Sequence, residues 1–312
     1  METLAVVLRE PERLDLSRLA LTPPEATDVV VDITHSGIST GTEKLLWQGR
    51  MPHFPGMGYP LVPGYESVGR ISQASTASGL REGDLVFVPG AKCFGDIRGL
   101  FGGAASRLVL PAARVIPVDE AMGEEAALLA LAATAYHAAP HGGVQPDLIV
   151  GHGVLGRLLA RLVVASGAPA PVVWEINPLR AGGADGYAVI HPDDDQRRDY
   201  RCICDVSGDS TLLDKLVGRL LPGGEIVLAG FYTDRISFAF APAFMREARL
   251  RIAAQFVESD VQAVKRLVQD GRVSLAGLIT HRSSAMSASD AYRTAFNDPE
   301  CLKMILNWSN CA

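Results

Sequence analysis

The sequence predicts an α/β protein of two domains, one β-rich and one built on a doubly wound parallel sheet. Three observations carry that prediction. Residues 1 to about 120 run as short alternating apolar stretches punctuated by Gly and Pro, the pattern of strands joined by turns. From residue 123 onward the pattern becomes strand, helix, strand, the signature of a parallel sheet. After about residue 255 it changes once more, to helices around a single extended segment.

The elements follow in order. Strands are read at 5–8, 28–33, 68–72, 85–89, 107–110 and 115–118, each rich in Val, Ile or Leu and closed off by turn residues. An Ala- and Leu-rich helix follows over 123–139. The apolar run 147–150 reads as a buried strand and 157–165 as an amphipathic helix behind it. Further strands fall at 171–174, 188–190, 202–205 and 225–229. Helices are expected between them, with 212–221 the clearest, its end marked by Pro222-Gly223-Gly224. A helix over 260–270 stops at Gly271. Residues 278–282 read as extended, and 287–296 and 300–308 as helical.

Gly151-His152-Gly153-Val154-Leu155-Gly156 lies between the first of the parallel strands and its helix, and Glu175 ends the next strand, nineteen residues beyond Gly156. Strand, glycines, helix, strand and acid at that spacing form the Rossmann dinucleotide-binding fingerprint. The glycines let the backbone turn tightly and approach a pyrophosphate. The helix N-terminus then offers that anion unpaired N–H groups and a partial positive charge.

Composition narrows the remaining classes. At 312 residues, 48% apolar and 21% charged, the chain is an ordinary globular one. A net charge of −6 without basic clusters argues against nucleic acid as a partner. No apolar run is long enough for an integral membrane segment, and residues 1–10 lack the pattern of a signal peptide. Cys93, Cys202, Cys204, Cys301 and Cys311 are an odd number without framework spacing, so reduced buried thiols and a cytoplasmic location are expected.

The whole pattern resembles the medium-chain dehydrogenase/reductase superfamily, across nearly the whole chain. The matching segments are Pro63-Gly64-Tyr65-Glu66, Gly83-Asp84-Leu85-Val86, Pro222-Gly223-Gly224 and Asp205-Val206-Ser207-Gly208. The resemblance implies a GroES-like catalytic domain over 1–122 and 272–312, and a Rossmann NAD-binding domain over 123–271. Zinc members hold the metal with a Cys, a His and a further Cys or acid. Here those positions fall at Ser39, Tyr65 and near Ala130, and residues 89–105, where a structural zinc lobe would lie, contain only Cys93. Hydroxyls and a methyl group cannot replace a thiolate and an imidazole, so no metal site is expected. Residues 36–44, 63–66, 134–138 and 174–178 are similar in particular to the zinc-free branch of bacteriochlorophyll biosynthesis. That branch implies NAD-dependent oxidation of the 3-(1-hydroxyethyl) group of a bacteriochlorophyllide, a tetrapyrrole, to 3-acetyl. A homodimer is left open.

Site residues follow from the fingerprint and the resemblance. Gly151, Gly153, Val154, Leu155 and Gly156 would hold the pyrophosphate. Glu175 would accept the ribose hydroxyls and repel a 2′-phosphate, favouring NAD over NADP, while Arg180 close by would blur that preference. Asn177 would frame the adenosine. Ser207, Gly208 and Gly230 are carried over by position at the carboxyl edge of the sheet. The catalytic residues expected by family position are Tyr65 and Thr42, with Glu66 as a third. Glu43, His35 and Lys44 are the other titratable groups nearby. Tyr65 either relays the alcohol's proton or fills the space of the missing metal. Glu66 has a structural alternative, as an acid that holds a basic residue. His137 reads as a hydrogen-bonded core histidine. Met51, Phe54, Met57, Tyr59 and Phe101 lie in loops able to meet a large flat ring, or simply to pack. Two other readings stay open: a zinc-free NADPH-dependent quinone or enoyl reductase, against which Glu175 argues, and a non-catalytic nucleotide-binding sensor or scaffold.

Overall fold

The structure, a computed structural model, describes residues 1–53, 56–74, 78–139 and 143–311. Phe54 lies outside the described residues. The chain divides into two compact units, Met1–Ala130 with Ala276–Ala312, and Leu131–Leu275. These divisions fall later than the expected 122/123 and 271/272. Segment Glu120–Leu128, a 3-10 helix, stays with the first unit because Arg70 grips Glu120 through two 2.7 Å hydrogen bonds and Arg282 grips Glu124.

Along the chain the first unit holds β1 (Glu2–Glu10), β2 (Arg13–Ala20), β3 (Asp28–Ile38), α1 (Thr42–Trp47), β4 (Leu61–Val62), β5 (Ser67–Gln73), β6 (Leu85–Val88), β7 (Arg98–Gly99), β8 (Arg107–Pro111) and β9 (Ile116–Pro117). The division falls within α2 (Leu129–Ala138). The second unit continues with β10 (Leu148–Val150), α3 (Val154–Ala165), β11 (Val172–Trp174), β12 (Ala188–Ile190), β13 (Tyr200–Asp205), α4 (Leu213–Val217), β14 (Leu220–Leu228), α5 (Phe240–Met245), β15 (Arg249–Ile252) and α6 (Glu258–Gln269). The return to the first unit supplies β16 (His281–Ser284), α7 (Ala288–Asn297) and β17 (Met304–Asn307).

In the second unit six parallel strands lie in the order β12-β11-β10-β13-β14-β15. Numbered from β10 this is 3-2-1-4-5-6, the doubly wound order whose reversal beside the first strand opens a ligand crevice at the carboxyl edge. The inner strands β10 and β11 are short, apolar and buried, as the middle of a sheet covered on both faces requires, while the edge strands β12 and β15 are partly to largely exposed. α3 buries Val154, Leu158, Leu159, Leu162 and Val163, each contributing roughly 1.5–3 kcal/mol. In the first unit β2-β1-β4-β7 form one sheet. β16-β17-β3-β5-β6-β9 form another, with β8 also paired to β3. Their inward faces share one core with α7.

Three expectations need correction, and one strand was not among them. Residues 300–308 are not helical: Met304, Ile305 and Leu306 are all buried, and β17 runs antiparallel to β3. A short apolar run does not declare its period, and the neighbouring strand decided it. The helix at 212–221 shrinks to α4, and Leu220 and Leu221 open β14, so Pro222-Gly223-Gly224 lies inside the strand. A register irregularity in the β13–β14 pairing absorbs it. Between β11 and β12 there is only the 3-10 turn Pro178–Arg180, and between β12 and β13 there is no helix at all. The strand β2, half-buried on alternate residues, was not anticipated at all.

Candidate active site

The dinucleotide fingerprint occupies the carboxyl edge of the second unit's sheet. Gly151 leaves β10 with φ of +103°, a region open to glycine. A Cβ on Gly156 would lie 1.9 Å from the Gly151 carbonyl oxygen, so the turn closes only with glycine there. Gly153 precedes the first turn of α3 and provides no side-chain cap, which leaves the N–H groups of that turn facing outward. Val154 and Leu155 begin the helix. On the adjoining strand Ser207 donates through both its N–H (2.9 Å) and its hydroxyl (2.6 Å) to Asp205 Oδ1. Burial raises the Asp205 pKa, and the Ser207 bonds oppose it. Gly208 and Gly230 pack backbone to backbone beyond β13 and β14.

Glu175 directly follows β11, and its two oxygens are already oriented: the His152 N–H donates to Oε2 at 3.0 Å and the Asn177 N–H to Oε1 at 2.7 Å. Asn177 in turn accepts from Leu179 N–H and starts the 3-10 turn. Arg180 takes part through its carbonyl, which receives His152 Nδ1–H at 2.6 Å and Arg157 Nη2 at 2.8 Å. Because that carbonyl can only accept, His152 carries its proton on Nδ1 and accepts the Tyr187 hydroxyl on Nε2 at 2.9 Å. Burial holds the His152 pKa below its ordinary value, so the ring stays neutral. Arg157 also binds the carbonyls of His152 and Gly182. His152, Arg157 and Tyr187 thus lock the loop after β11 onto the glycine turn. Sequence reading missed all three; the one signal was an arginine on the apolar face of α3.

The first unit holds the residues expected to be catalytic. Tyr65 donates to Ser39 Oγ at 2.7 Å, Thr42 Oγ1 lies 2.9 Å from Tyr65 Oη, and Ser39 Oγ and Thr42 Oγ1 are 3.1 Å apart. Three hydroxyls therefore form a closed ring of hydrogen bonds, two of them at positions where the resemblance expects metal ligands. Ala130, the third, presents a buried methyl group. Among the described residues no three His, Cys, Asp or Glu side chains converge on one point. The residues present do not fit a zinc ion. Burial, and then the charge of Glu66, push the Tyr65 pKa well above the usual phenol range, so the hydroxyl is held protonated. The exposed Phe101 ring meets Tyr65 edge to face at 5.5 Å.

Glu66 turns away from this ring. It is fully buried, and its Oε2 receives Lys303 Nζ at 2.6 Å, from the residue just ahead of β17. Lys303 also donates to the Ile38 carbonyl. Among the described residues Glu66 Oε1 has no partner. The geometry gives Glu66 an ion-pairing task beneath the hydroxyls, the structural alternative of its two readings. Glu43, also buried, accepts the Ser39 N–H at 3.0 Å and the Tyr292 hydroxyl at 2.8 Å. Lys44 donates to the Phe296 carbonyl, and His35 lies 4.0 Å from Glu124. His137 donates to Asp260 at 2.8 Å, so it is hydrogen-bonded as expected, but it is half-buried and not part of the core. The five cysteines are all buried, and among the described residues none forms a disulfide.

Residues 25–120 match the alcohol dehydrogenase GroES-like domain family. The chain is 59% identical over 312 residues to 2-desacetyl-2-hydroxyethyl bacteriochlorophyllide A dehydrogenase of Rhodobacter capsulatus, covering 99% of each. The chain belongs to the medium-chain dehydrogenase/reductase superfamily. This dehydrogenase is equally close, at 59% over 314 residues and 99% of each chain, to the protein of the same name from Cereibacter sphaeroides. Its fold matches an alcohol dehydrogenase of Escherichia coli CFT073 complexed with NADH, with a TM-score of 0.82 at 20% identity over 98% of this chain and 99% of that one. It is an alcohol oxidoreductase, and its family implies a nicotinamide cofactor. No helix among the described residues is long and apolar enough to cross a membrane.

Proposed function

We propose that this dehydrogenase oxidises the 3-(1-hydroxyethyl) group of a bacteriochlorophyllide to 3-acetyl, with NAD as acceptor and without zinc. The observation that carries the reading is the hydroxyl ring of Ser39, Thr42 and Tyr65, at positions where the resemblance expects metal ligands. The relatives from Rhodobacter capsulatus and Cereibacter sphaeroides, named for that pigment, support the substrate. When bound, NAD supplies the hydride acceptor.

The chain's own residues then have defined tasks. Gly151, Gly153, Val154, Leu155 and Gly156 receive the pyrophosphate on the open turn of α3. Glu175, with both oxygens preset by backbone N–H groups, accepts the ribose hydroxyls and disfavours a 2′-phosphate, so NAD is preferred to NADP. Asn177 and the Arg180 turn frame the adenosine. Ser207, Gly208 and Gly230 shape the edge beyond β13 and β14. Tyr65 takes the alcohol's proton as its own moves to Ser39 and on to the partly exposed Thr42. It acts as a neutral relay and not as a tyrosinate, because its raised pKa keeps it protonated. Glu66 supports Tyr65 from beneath, through the ion pair with Lys303. The Phe101 ring offers an apolar face to the pigment.

Five buried thiols favour a reducing, cytoplasmic setting. The exposed side chains of Phe240, Phe244, Met245 and Ile252, beside the open edge strand β15, favour a homodimer. The reading is tested by following NADH formation with the hydroxyethyl pigment in the presence of a chelator. Expected is turnover with NAD that the chelator leaves unchanged. No turnover with either nicotinamide, alongside reduction of quinones or enones, would overturn it.

A further inference from the structure

The catalytic reading leaves unused a buried acid beside the hydroxyl ring. Glu43 sits in the first turn of α1, 2% exposed, between Ser39 and Thr42 on one side and α7 on the other. Its two oxygens are each taken by a donor, the Ser39 N–H at 3.0 Å and the Tyr292 hydroxyl at 2.8 Å. Gly41, which caps α1, has no side chain to close the turn, so the Glu43 carboxylate supplies that closure. The turn it closes carries two of the three hydroxyls in the ring around Tyr65.

We propose that Glu43 is a positioning residue of the reaction, its carboxylate holding the 39–42 turn so that Ser39 and Thr42 meet the Tyr65 hydroxyl. This rests on the proton-relay reading of those hydroxyls. A carboxylate only accepts, and it accommodates both donors at once. A protonated carboxyl brings a third hydrogen between two groups that already donate. The Ser39 N–H cannot reverse, so its bond weakens to one with a neutral acceptor, while the Tyr292 hydroxyl turns to accept the carboxyl proton. The groups facing Glu43 are Tyr292 from α7, Glu66 and Tyr65 from the segment after β4, and Lys303 ahead of β17. Two buried carboxyls share the single ammonium of Lys303, already engaged by Glu66. Burial, and then the Glu66 charge, raise the Glu43 pKa to about 7, while its two hydrogen bonds and Lys303 oppose the rise. The hold on the turn thus tightens as pH rises through neutrality.

Two measurements test this. In the wild-type protein the Ser39 amide proton shift should titrate with a midpoint near 7, and in Glu43→Gln it should be flat over the same range. For turnover, Glu43→Gln should lower kcat about 10- to 100-fold at pH 8, with KM within about threefold, the size expected for misplaced reacting groups. It should also abolish the break in the kcat profile near neutrality, and Glu43→Asp should restore that break at reduced kcat. A Ser39 amide that does not titrate, or a Glu43→Gln enzyme that keeps both kcat and the break, would overturn the proposal and leave Glu43 a stitch between α1 and α7. Absence of pigment turnover in the wild type strikes the relay reading instead, and the Ser39 titration still decides whether Glu43 holds the turn.

Discussion

Tyr65 is the residue on which the proposed chemistry turns. Its hydroxyl donates to Ser39 and lies beside Thr42, while its ring packs against Phe101. Tyr65→Phe keeps the ring and removes the relay, so kcat should fall about 100-fold or more while substrate affinity changes little. Steady-state kinetics check it, and unchanged kcat would reduce Tyr65 to packing. Glu175 governs cofactor choice in the same reading. Glu175→Ala should narrow the NAD preference by roughly 1–2 kcal/mol, about one charge-assisted hydrogen bond, as a ratio of kcat/KM values. A wild type that prefers NADP would refute the assignment. Glu43 leaves a second mark, on stability. Its pKa is raised from 4.5 to about 7 on folding, so its contribution is full below about pH 4.5 and is lost as pH rises to about 7. Relative to wild type, Glu43→Gln should gain up to about 3 kcal/mol across that window, read from denaturation curves at several pH values. A stability difference independent of pH would show that Glu43 does not titrate there.

At the scale of elements, β17 matters most, because it brings Lys303 to Glu66. Both are essentially fully buried. Lys303→Met would strand the Glu66 charge and should cost about 3–5 kcal/mol of stability in chemical denaturation, with Glu66→Gln on that background recovering part of the loss. A cost under about 1 kcal/mol would mean that water reaches the pair. The same strand shows where sequence reading stops. Residues 300–308 hold apolar residues at spacings that a helix or a strand satisfies, and pairing with β3 chose the strand. The run 147–150, by contrast, was legible, because glycines and an amphipathic helix follow it at once. The Pro222-Gly223-Gly224 turn misled, since β14 absorbs as a register shift what reads locally as a helix end.

For the whole molecule, the apolar side chains left open near β15 carry the last prediction. Phe240, Met245 and Ile252 are each at least 70% exposed. An unpaired strand edge beside such a patch favours antiparallel pairing with its twofold copy. Sedimentation should show a dimer, and Ile252→Lys with Met245→Glu should yield monomers with the fold intact by circular dichroism. A wild type that sediments as a monomer would refute the interface.

What the sequence determined by itself was local. The glycine turn, its helix and the acid nineteen residues on are contiguous features, and the backbone conformations they demand are set by the residues that make them. Ser39 and Tyr65 were also legible as residues unsuited to zinc, because ligand chemistry belongs to the side chain itself. Only the tertiary structure decided what these residues do together. Tyr292 reaches Glu43 across 249 positions and Lys303 reaches Glu66 across 237. No periodicity encodes such a separation. Glu66 and Glu43 read alike as acids near a tyrosine. One became an ion pair and the other the brace of a turn because burial forces each charge to find a partner, and the fold determines which partner is within reach.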